Sequence, residues 1–142
     1  MTPPPAHRVG GLNHLTLAVA DVARSLAFYV DALGMQLRAR WPRGAYLDAD
    51  GTWIALVLDE KLEGLPHPEY THFAFSVTAQ AFEPLCRRLE AAGASPWQVN
   101  RTEGDSFYVL DPDGHRLELH VGDLESRLAA ARVAPWEGLE IT

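Results

Sequence analysis

The stretch NHLTLAV, residues 13–19, decides the fold because a second version of it, THFAFSV, occurs at residues 71–77. Alternation along a strand gives the first copy an apolar face and a polar face, and His14 lies on the polar one. The same alternation places His72 on the polar face of the second copy. A lone strand histidine is commonly a core residue bonded to a carbonyl, or a residue at a wet edge. A repeated one invites a functional interpretation.

Working outward from residues 13–19, the first copy continues as a helix and three strands. The helix is predicted from about Asp21, which can cap it, to Leu33, and Gly34 can end it. Its apolar stripe consists of Val22, Leu26, Tyr29 and Leu33. The strands that follow are predicted at MQLRARW (35–41), GAYLDAD (44–50) and TWIALVLD (52–59).

The second copy repeats this order after the charged, proline-containing linker EKLEGLPHPEY, residues 60–70. A helix is predicted over AFEPLCRRLEAAG, beginning near Ala81 because proline, here Pro84, is tolerated only in the first turn. Strands are predicted at WQVNRT (97–102), DSFYVL (105–110) and HRLELHV (115–121). The predicted fold class is therefore α+β, with tandem βαβββ modules at about 10–58 and 70–122. We expect one domain over 10–142, ending in a C-terminal helix and tail, after a flexible tail at 1–9.

Composition narrows the possible partners. The chain has 142 residues, 47% hydrophobic and 22% charged, with a net charge of -7 and no basic run, which argues against nucleic acid and anionic membrane surfaces. No apolar run approaches a transmembrane span, and the N-terminus lacks the pattern of a signal peptide. A single cysteine, Cys86, excludes an internal disulfide, so we expect a cytoplasmic protein in which Cys86 packs in the core.

The two copies together present a candidate metal site. Aligning DADGTWIALVL (48–58) with DPDGHRLELHV (111–121) places Ala55 against Glu118, so the polar faces carry His14, His72 and Glu118. Two imidazoles and one carboxylate suit Fe(II), Mn(II), Zn(II) or Ni(II), and three protein ligands leave positions open for substrate. His120 is a candidate to support these ligands. The remaining histidines have weaker claims: His7, His67 and His115.

Several segments carry a resemblance to a known family: GLNHLTLAV, SLAFYVDALGMQLRARW, GAYL, YTHFAFSV, NRTEGDSFYVLDPDGHRLELHVGDLESRLAA and APWEGL. Together they resemble the vicinal oxygen chelate superfamily, which includes glyoxalase I, extradiol dioxygenases and bleomycin-binding proteins. The chain is most similar to the fosfomycin-resistance glutathione transferases within it. The likeness extends over nearly the whole chain after the proline-rich tail, and residues 100–131 are its most specific part.

The resemblance implies a vicinal oxygen chelate fold in a homodimer with exchanged modules. It implies that His14, His72 and Glu118 bind Mn(II) or another divalent metal, and that the loop NRTEGDS binds K⁺. It implies catalytic roles for Thr16 and for Tyr46, which would contact the glutathione thiol. The substrate contacts would be Trp53, Gln98, Thr102, Ser106, Tyr108 and Arg127. The residues near K⁺ or glutathione would be Trp41, Asn100, Arg101, Glu103 and Gly104.

Two positions depart from the family pattern. Gln98 stands where the family commonly has a lysine, so a cation near the phosphonate end of the site is missing. Thr102 stands where a serine is common, which adds a methyl group. Both changes bear on efficiency toward fosfomycin.

The function implied is a metal-dependent transferase that opens the fosfomycin epoxide with glutathione and so confers resistance. Thr16 favours glutathione as the thiol. Alternatives are an Fe(II) extradiol dioxygenase, an epoxide hydrolase, another thiol transferase, or a drug-binding protein without catalysis. The short chain with its K⁺-type loop disfavours a dioxygenase, no extra carboxylate is evident as a base for hydration, and the complete ligand set disfavours a mere binding protein.

Overall fold

The computed structural model describes Thr2, residues 7–62 and residues 69–142. The chain divides into two compact units, Met1–Leu62 and Glu63–Thr142. Within the described residues, each unit contains one four-stranded sheet. His67 and most of the predicted linker lie outside the described residues, as do Met1 and residues 3–6 of the predicted tail at 1–9.

The first unit follows the predicted order of strand, helix and three strands. Its strands are β1 (His14–Val19), β2 (Gln36–Trp41), β3 (Gly44–Ala49) and β4 (Thr52–Leu58). They lie in the order β1-β4-β3-β2, with β1 parallel to β4 and the other pairs antiparallel. The turn between β3 and β4 has positive φ at Asp50 and Gly51, and the Asp48 carboxylate accepts the Gly51 N–H at 2.6 Å. These torsions are those of a tight hairpin turn.

The second unit has the same topology, which confirms the predicted repeat. Its strands are β5 (Phe73–Ser76), β6 (Pro96–Gln98), β7 (Ser106–Leu110) and β8 (Arg116–His120). They lie in the order β5-β8-β7-β6, with β5 parallel to β8. Helix α2 (Ala79–Ala91) follows β5, and helix α3 (Leu124–Val133) follows β8. Among the described residues, none of the helices has the length and apolar character needed to cross a membrane.

Burial follows the predicted faces of both repeats. In the first unit Leu17 and Val19 are buried, while His14 and Thr16 are exposed. In the second unit the apolar face of β8 is buried at Leu117 and Leu119. The apolar residues Phe73 and Phe75 of β5 are only partly buried, and Glu118 is buried although it lies on the polar face of β8.

The first helix is shorter than predicted as a regular α-helix. Helix α1 (Val22–Leu26) begins after Asp21, whose carboxylate caps it by accepting the Arg24 N–H, and continues as a π-helical segment, Ala27–Ala32. Gly34, with φ of 81°, follows its end as predicted. Such wide turns are uncommon, and periodicity alone does not reveal them.

Helix α2 begins two residues before the predicted start near Ala81, and that prediction is wrong. Thr78 caps the helix, since its hydroxyl accepts the Ala81 N–H at 3.1 Å, and Pro84 lies inside it. The helix therefore begins at its Thr78 cap despite the lost Pro84 N–H. Cys86 on this helix is partly buried, and burial, reinforced by the Glu90 carboxylate, raises the pKa of its thiol.

Candidate metal and substrate site

The sheet of the second unit places its polar candidates in neighbouring rows. Glu118 on β8 lies opposite Tyr108 on β7, which lies opposite Gln98 on β6. Ser106 lies opposite His120 in the next row. Directly opposite residues share a face of the sheet, so these five side chains belong to one surface.

His72, which immediately precedes β5, is brought against Glu118. The imidazole Nε2 lies 3.1 Å from Glu118 Oε1, and its Nδ1 lies 3.0 Å from the backbone oxygen of Tyr70. A carbonyl only accepts, so Nδ1 carries a proton, and a neutral ring then presents its Nε2 lone pair to the carboxylate. Two lone pairs at this distance repel each other unless a proton or a metal ion lies between them. The pair therefore has the donor chemistry and the outer hydrogen bond of a metal site.

Glu118 is held from its other side as well. Its second oxygen, Oε2, accepts the Ser106 hydroxyl at 2.7 Å, and the side chain is only 8% exposed. Ser106 Oγ also lies 2.6 Å from His120 Nδ1. The sequence predicts that His120 supports the ligands. Its side chain lies in one hydrogen-bonded group with Ser106 and Glu118.

The loop between β6 and β7 is held by its own side chains. Asn100 donates to the Gly104 carbonyl at 2.8 Å and accepts from the Thr102 backbone and hydroxyl at 3.0 Å. Arg127 on α3 donates to Glu103 at 3.0 Å and to the Thr102 hydroxyl at 3.4 Å. The Arg127 guanidinium, which the resemblance assigns to the phosphonate, therefore has an acidic partner, Glu103, in the loop between β6 and β7. The adjacent Arg101 is exposed.

Aromatic rings surround His72. The Tyr70, Trp97 and Tyr108 rings have centroids 5.0, 5.5 and 6.2 Å from the imidazole. The Gln98 amide donates to the Tyr70 hydroxyl at 3.0 Å. Tyr70 is not among the site residues that the sequence predicts. The signal that points to it is its position two residues before His72, on the same strand face by alternation.

The first unit carries a second polar face with its own aromatic row. The His14 ring lies 4.3 Å from that of Trp53, and Tyr46 and Trp41 extend the row at 5.2 and 4.8 Å. His14 Nδ1 lies 2.7 Å from Asn13 Oδ1, an arrangement in which Nδ1 donates and Nε2 retains its lone pair. Thr16 lies opposite Ala55, which lies opposite Tyr46.

The structure therefore collects the predicted residues in two groups, one in each unit. The first unit holds His14, Thr16, Trp41, Tyr46 and Trp53, and the second holds all the others. Of the three predicted ligands, His72 and Glu118 are in contact. In the part of the chain that the structure describes, no group of three or more His, Cys, Asp or Glu side chains is placed to hold a metal ion.

Comparison with known proteins agrees with this fold. Residues 11–119 match the sequence profile of the Glyoxalase/Bleomycin resistance protein/Dioxygenase superfamily. The chain is 53% identical over 133 residues to the glutathione transferase FosA of Serratia marcescens, covering 92% of this chain and 94% of that protein. It is 35% identical to the metallothiol transferase FosB of Staphylococcus haemolyticus, covering 85% and 90% of the two chains.

Solved structures are similar over the same range. A variant of the fosfomycin resistance protein FosX from Listeria monocytogenes, complexed with Mn(II) and 1S,2S-dihydroxypropylphosphonic acid, has a TM-score of 0.76 at 28% identity, covering 87% of this chain and 98% of that chain. FosX from Mesorhizobium loti has a TM-score of 0.73 at 27% identity, covering 85% and 99%. The chain therefore belongs to the glyoxalase superfamily and, within it, to the fosfomycin-resistance glutathione transferase family.

Proposed function

We propose that this chain is a metal-dependent glutathione transferase that opens the epoxide of fosfomycin and so confers resistance to it. The observation that carries the proposal is the His72–Glu118 pair, in which hydrogen bonds to the Tyr70 carbonyl and the Ser106 hydroxyl hold the two groups facing each other. It occurs in a chain 53% identical to a glutathione transferase.

The proposed centre consists of His14, His72 and Glu118, with Mn(II) as the metal because the similar FosX structure contains it. Each histidine has a partner for Nδ1, Asn13 for one and the Tyr70 carbonyl for the other, which leaves Nε2 as the ligand atom. When bound, the metal supplies Lewis-acid stabilisation of the charge that forms on the epoxide oxygen.

The other residues bind and orient the two substrates. Tyr108 and Gln98 lie in the same row as Glu118 and would hydrogen-bond the phosphonate. The Arg127 guanidinium has a fork of donors that suits phosphonate oxygens, and its Nε donates to Glu103. Thr102 and Trp53 complete the proposed contacts.

Glutathione would approach along the aromatic row of the first unit. Tyr46 would donate a hydrogen bond that favours the thiolate, the reactive form of the thiol, and Trp41 and Arg101 would contact the remainder of the tripeptide. The thiolate sulfur forms a bond to an epoxide carbon as the carbon–oxygen bond breaks. Thr16, on the same strand face as His14, would hydrogen-bond the epoxide oxygen, which then takes a proton from water.

We also propose that the loop at 100–106 binds K⁺. Glu103 offers a carboxylate, and Asn100 and Gly104 offer carbonyl oxygens, which are the donors that hard cations prefer. Fosfomycin turnover should then rise when K⁺ replaces Na⁺ at constant ionic strength.

A second candidate is hydrolysis of the epoxide, since the similar FosX structure contains a dihydroxy phosphonate. The assay that separates them follows fosfomycin with Mn(II) and, in turn, glutathione, cysteine, bacillithiol or no thiol. We expect glutathione to give a covalent adduct and to consume fosfomycin faster than the other thiols do. We expect no reaction after the metal is chelated. A diol formed without thiol would establish hydrolysis instead, and no consumption under any condition would refute both.

A further inference from the structure

His120 is a nearly buried group whose role the proposed chemistry leaves open. Its side chain is 13% exposed and lies on the same sheet face as Glu118. Nδ1 contacts the Ser106 hydroxyl at 2.6 Å and lies farther, at 3.4 Å, from Glu118 Oε2, and Nε2 lies 3.6 Å from Glu103 Oε1. The ring thus stands between the metal-ligand row and the loop at 100–106.

The hydrogen bonds around Ser106 have one consistent direction. A serine hydroxyl has one proton, and an ionised carboxylate can only accept, so the Ser106 proton goes to Glu118 Oε2. The short contact with His120 then requires that Nδ1 donates to Ser106 Oγ. The hydrogen bonds from His120 to Ser106 and from Ser106 to Glu118 therefore hold Oε2 of the carboxylate. Oε1 then faces His72.

Two glycines leave room for the imidazole. A Cβ at Gly122 would lie 3.2 Å from His120 Nε2 and 2.8 Å from Ser126 Oγ. A Cβ at Gly104 would lie 2.5 Å from the Val121 carbonyl and 3.2 Å from His120 Cε1. Both glycines also have positive φ, a backbone conformation that favours glycine over residues with a side chain.

We propose that His120 is a positioning residue for the metal ligand Glu118, acting through the Ser106 hydroxyl. The inference rests on the proposed metal centre and goes beyond it. It also reassigns Ser106, whose single donor supports the ligand and is unavailable to the phosphonate.

Geometry offers a matched pair of variants. The Asn side-chain nitrogen in His120→Asn falls near the position of Nδ1 and can donate to Ser106, whereas His120→Gln places its nitrogen near Nε2. Mn(II) affinity of the full-length protein should therefore survive in His120→Asn, within about threefold, and fall about 10- to 100-fold in His120→Gln, the range typical of lost outer-sphere partners. Electron paramagnetic resonance of free Mn(II) measures this without any turnover. His7→Gln is the control for a surface histidine.

Ser106→Ala tests the route of the effect. It should weaken Mn(II) as much as His120→Gln, and the double variant should lose no more than either, because both remove one chain of hydrogen bonds. Thermal unfolding without metal checks that each variant folds. Equal affinity of His120→Gln and wild type, or losses that add, would overturn the inference.

Wild-type protein that binds no Mn(II) would overturn the inference and the metal centre together, whereas Mn(II) binding without fosfomycin turnover would refute only the proposed function.

Discussion

At Glu118 the two carboxylate oxygens have separate tasks, one toward His72 and one toward Ser106. We therefore expect Glu118→Ala and His72→Ala each to abolish tight Mn(II) binding and turnover, because two protein ligands are too few to retain a labile divalent ion. His14→Ala should do the same. Metal analysis after gel filtration and the glutathione assay check this, with His7→Ala as a control that keeps both. A Glu118→Ala protein with full metal content would show that this ligand is misassigned.

Gln98 stands where the resemblance implies a lysine, so this position lacks a positive charge that the family pattern has. A charged hydrogen bond contributes about 1.5–3 kcal/mol and a neutral one about 1 kcal/mol. Gln98→Lys should therefore raise kcat/KM for fosfomycin roughly fivefold to tenfold, by the relation of about 1.4 kcal/mol per tenfold. The gain should be larger at low salt, where charges are less screened.

Steady-state kinetics at two ionic strengths measure the effect of Gln98→Lys. The matched control is Gln36→Lys, which adds the same charge at an exposed position of the first unit. An unchanged or lower kcat/KM in Gln98→Lys would mean that the phosphonate is not held near this side chain. The hydrogen bond from Gln98 to the Tyr70 hydroxyl would then be its main role.

At the scale of elements, helix α2 shows how a cap and a breaker compete. Pro84 lies in the helix, is exposed, and lacks the N–H that would bond to the Gln80 carbonyl. A helix-interior proline costs about 3 kcal/mol relative to alanine, partly offset by about 0.4–1 kcal/mol from the stiffer unfolded chain. Pro84→Ala should therefore raise the free energy of unfolding by about 1 to 2 kcal/mol, allowing for local relaxation.

Denaturant unfolding of the metal-free protein tests the change at Pro84. Glu83→Ala, at the neighbouring exposed position, is the control, because it removes only the surface pair with Arg87 and should change stability by about 0.5 kcal/mol or less. A destabilised Pro84→Ala protein would show that the proline contributes packing or a kink that the fold needs.

At the scale of the whole molecule, the proposed ligands are divided between two units, with His14 in one and His72 and Glu118 in the other. We propose a homodimer in which His14 of one protomer completes the site of its partner. Mixing His14→Ala and His72→Ala protomers under conditions of subunit exchange should then restore activity. The mixed dimer has one intact site, so random pairing predicts about one quarter of wild-type activity.

Gel filtration and the glutathione assay on the mixed protomers measure the restoration. Each variant alone should remain inactive. A monomer at micromolar concentration, or a mixture that stays inactive although subunits exchange, would contradict the exchanged-module dimer.

Local pattern was enough to predict the repeat and the alternation of polar and apolar residues along its strands, whereas the assignment of His14, His72 and Glu118 as ligands stays a prediction. Strand alternation and acidic-glycine turns depend on neighbouring residues, so they can be read from the chain. The start of α2 was predicted wrongly because a cap and a proline oppose each other, and their balance is an energy that periodicity does not express.

Tertiary structure alone decided which side chains meet across long separations in sequence. The Tyr70 carbonyl sets the tautomer of His72, and His120 directs the Ser106 hydroxyl to Glu118. Gln98 reaches Tyr70 across 28 positions of sequence. Such contacts depend on strand register and on side-chain direction to within an ångström, whereas residue pattern specifies only the face on which a side chain lies.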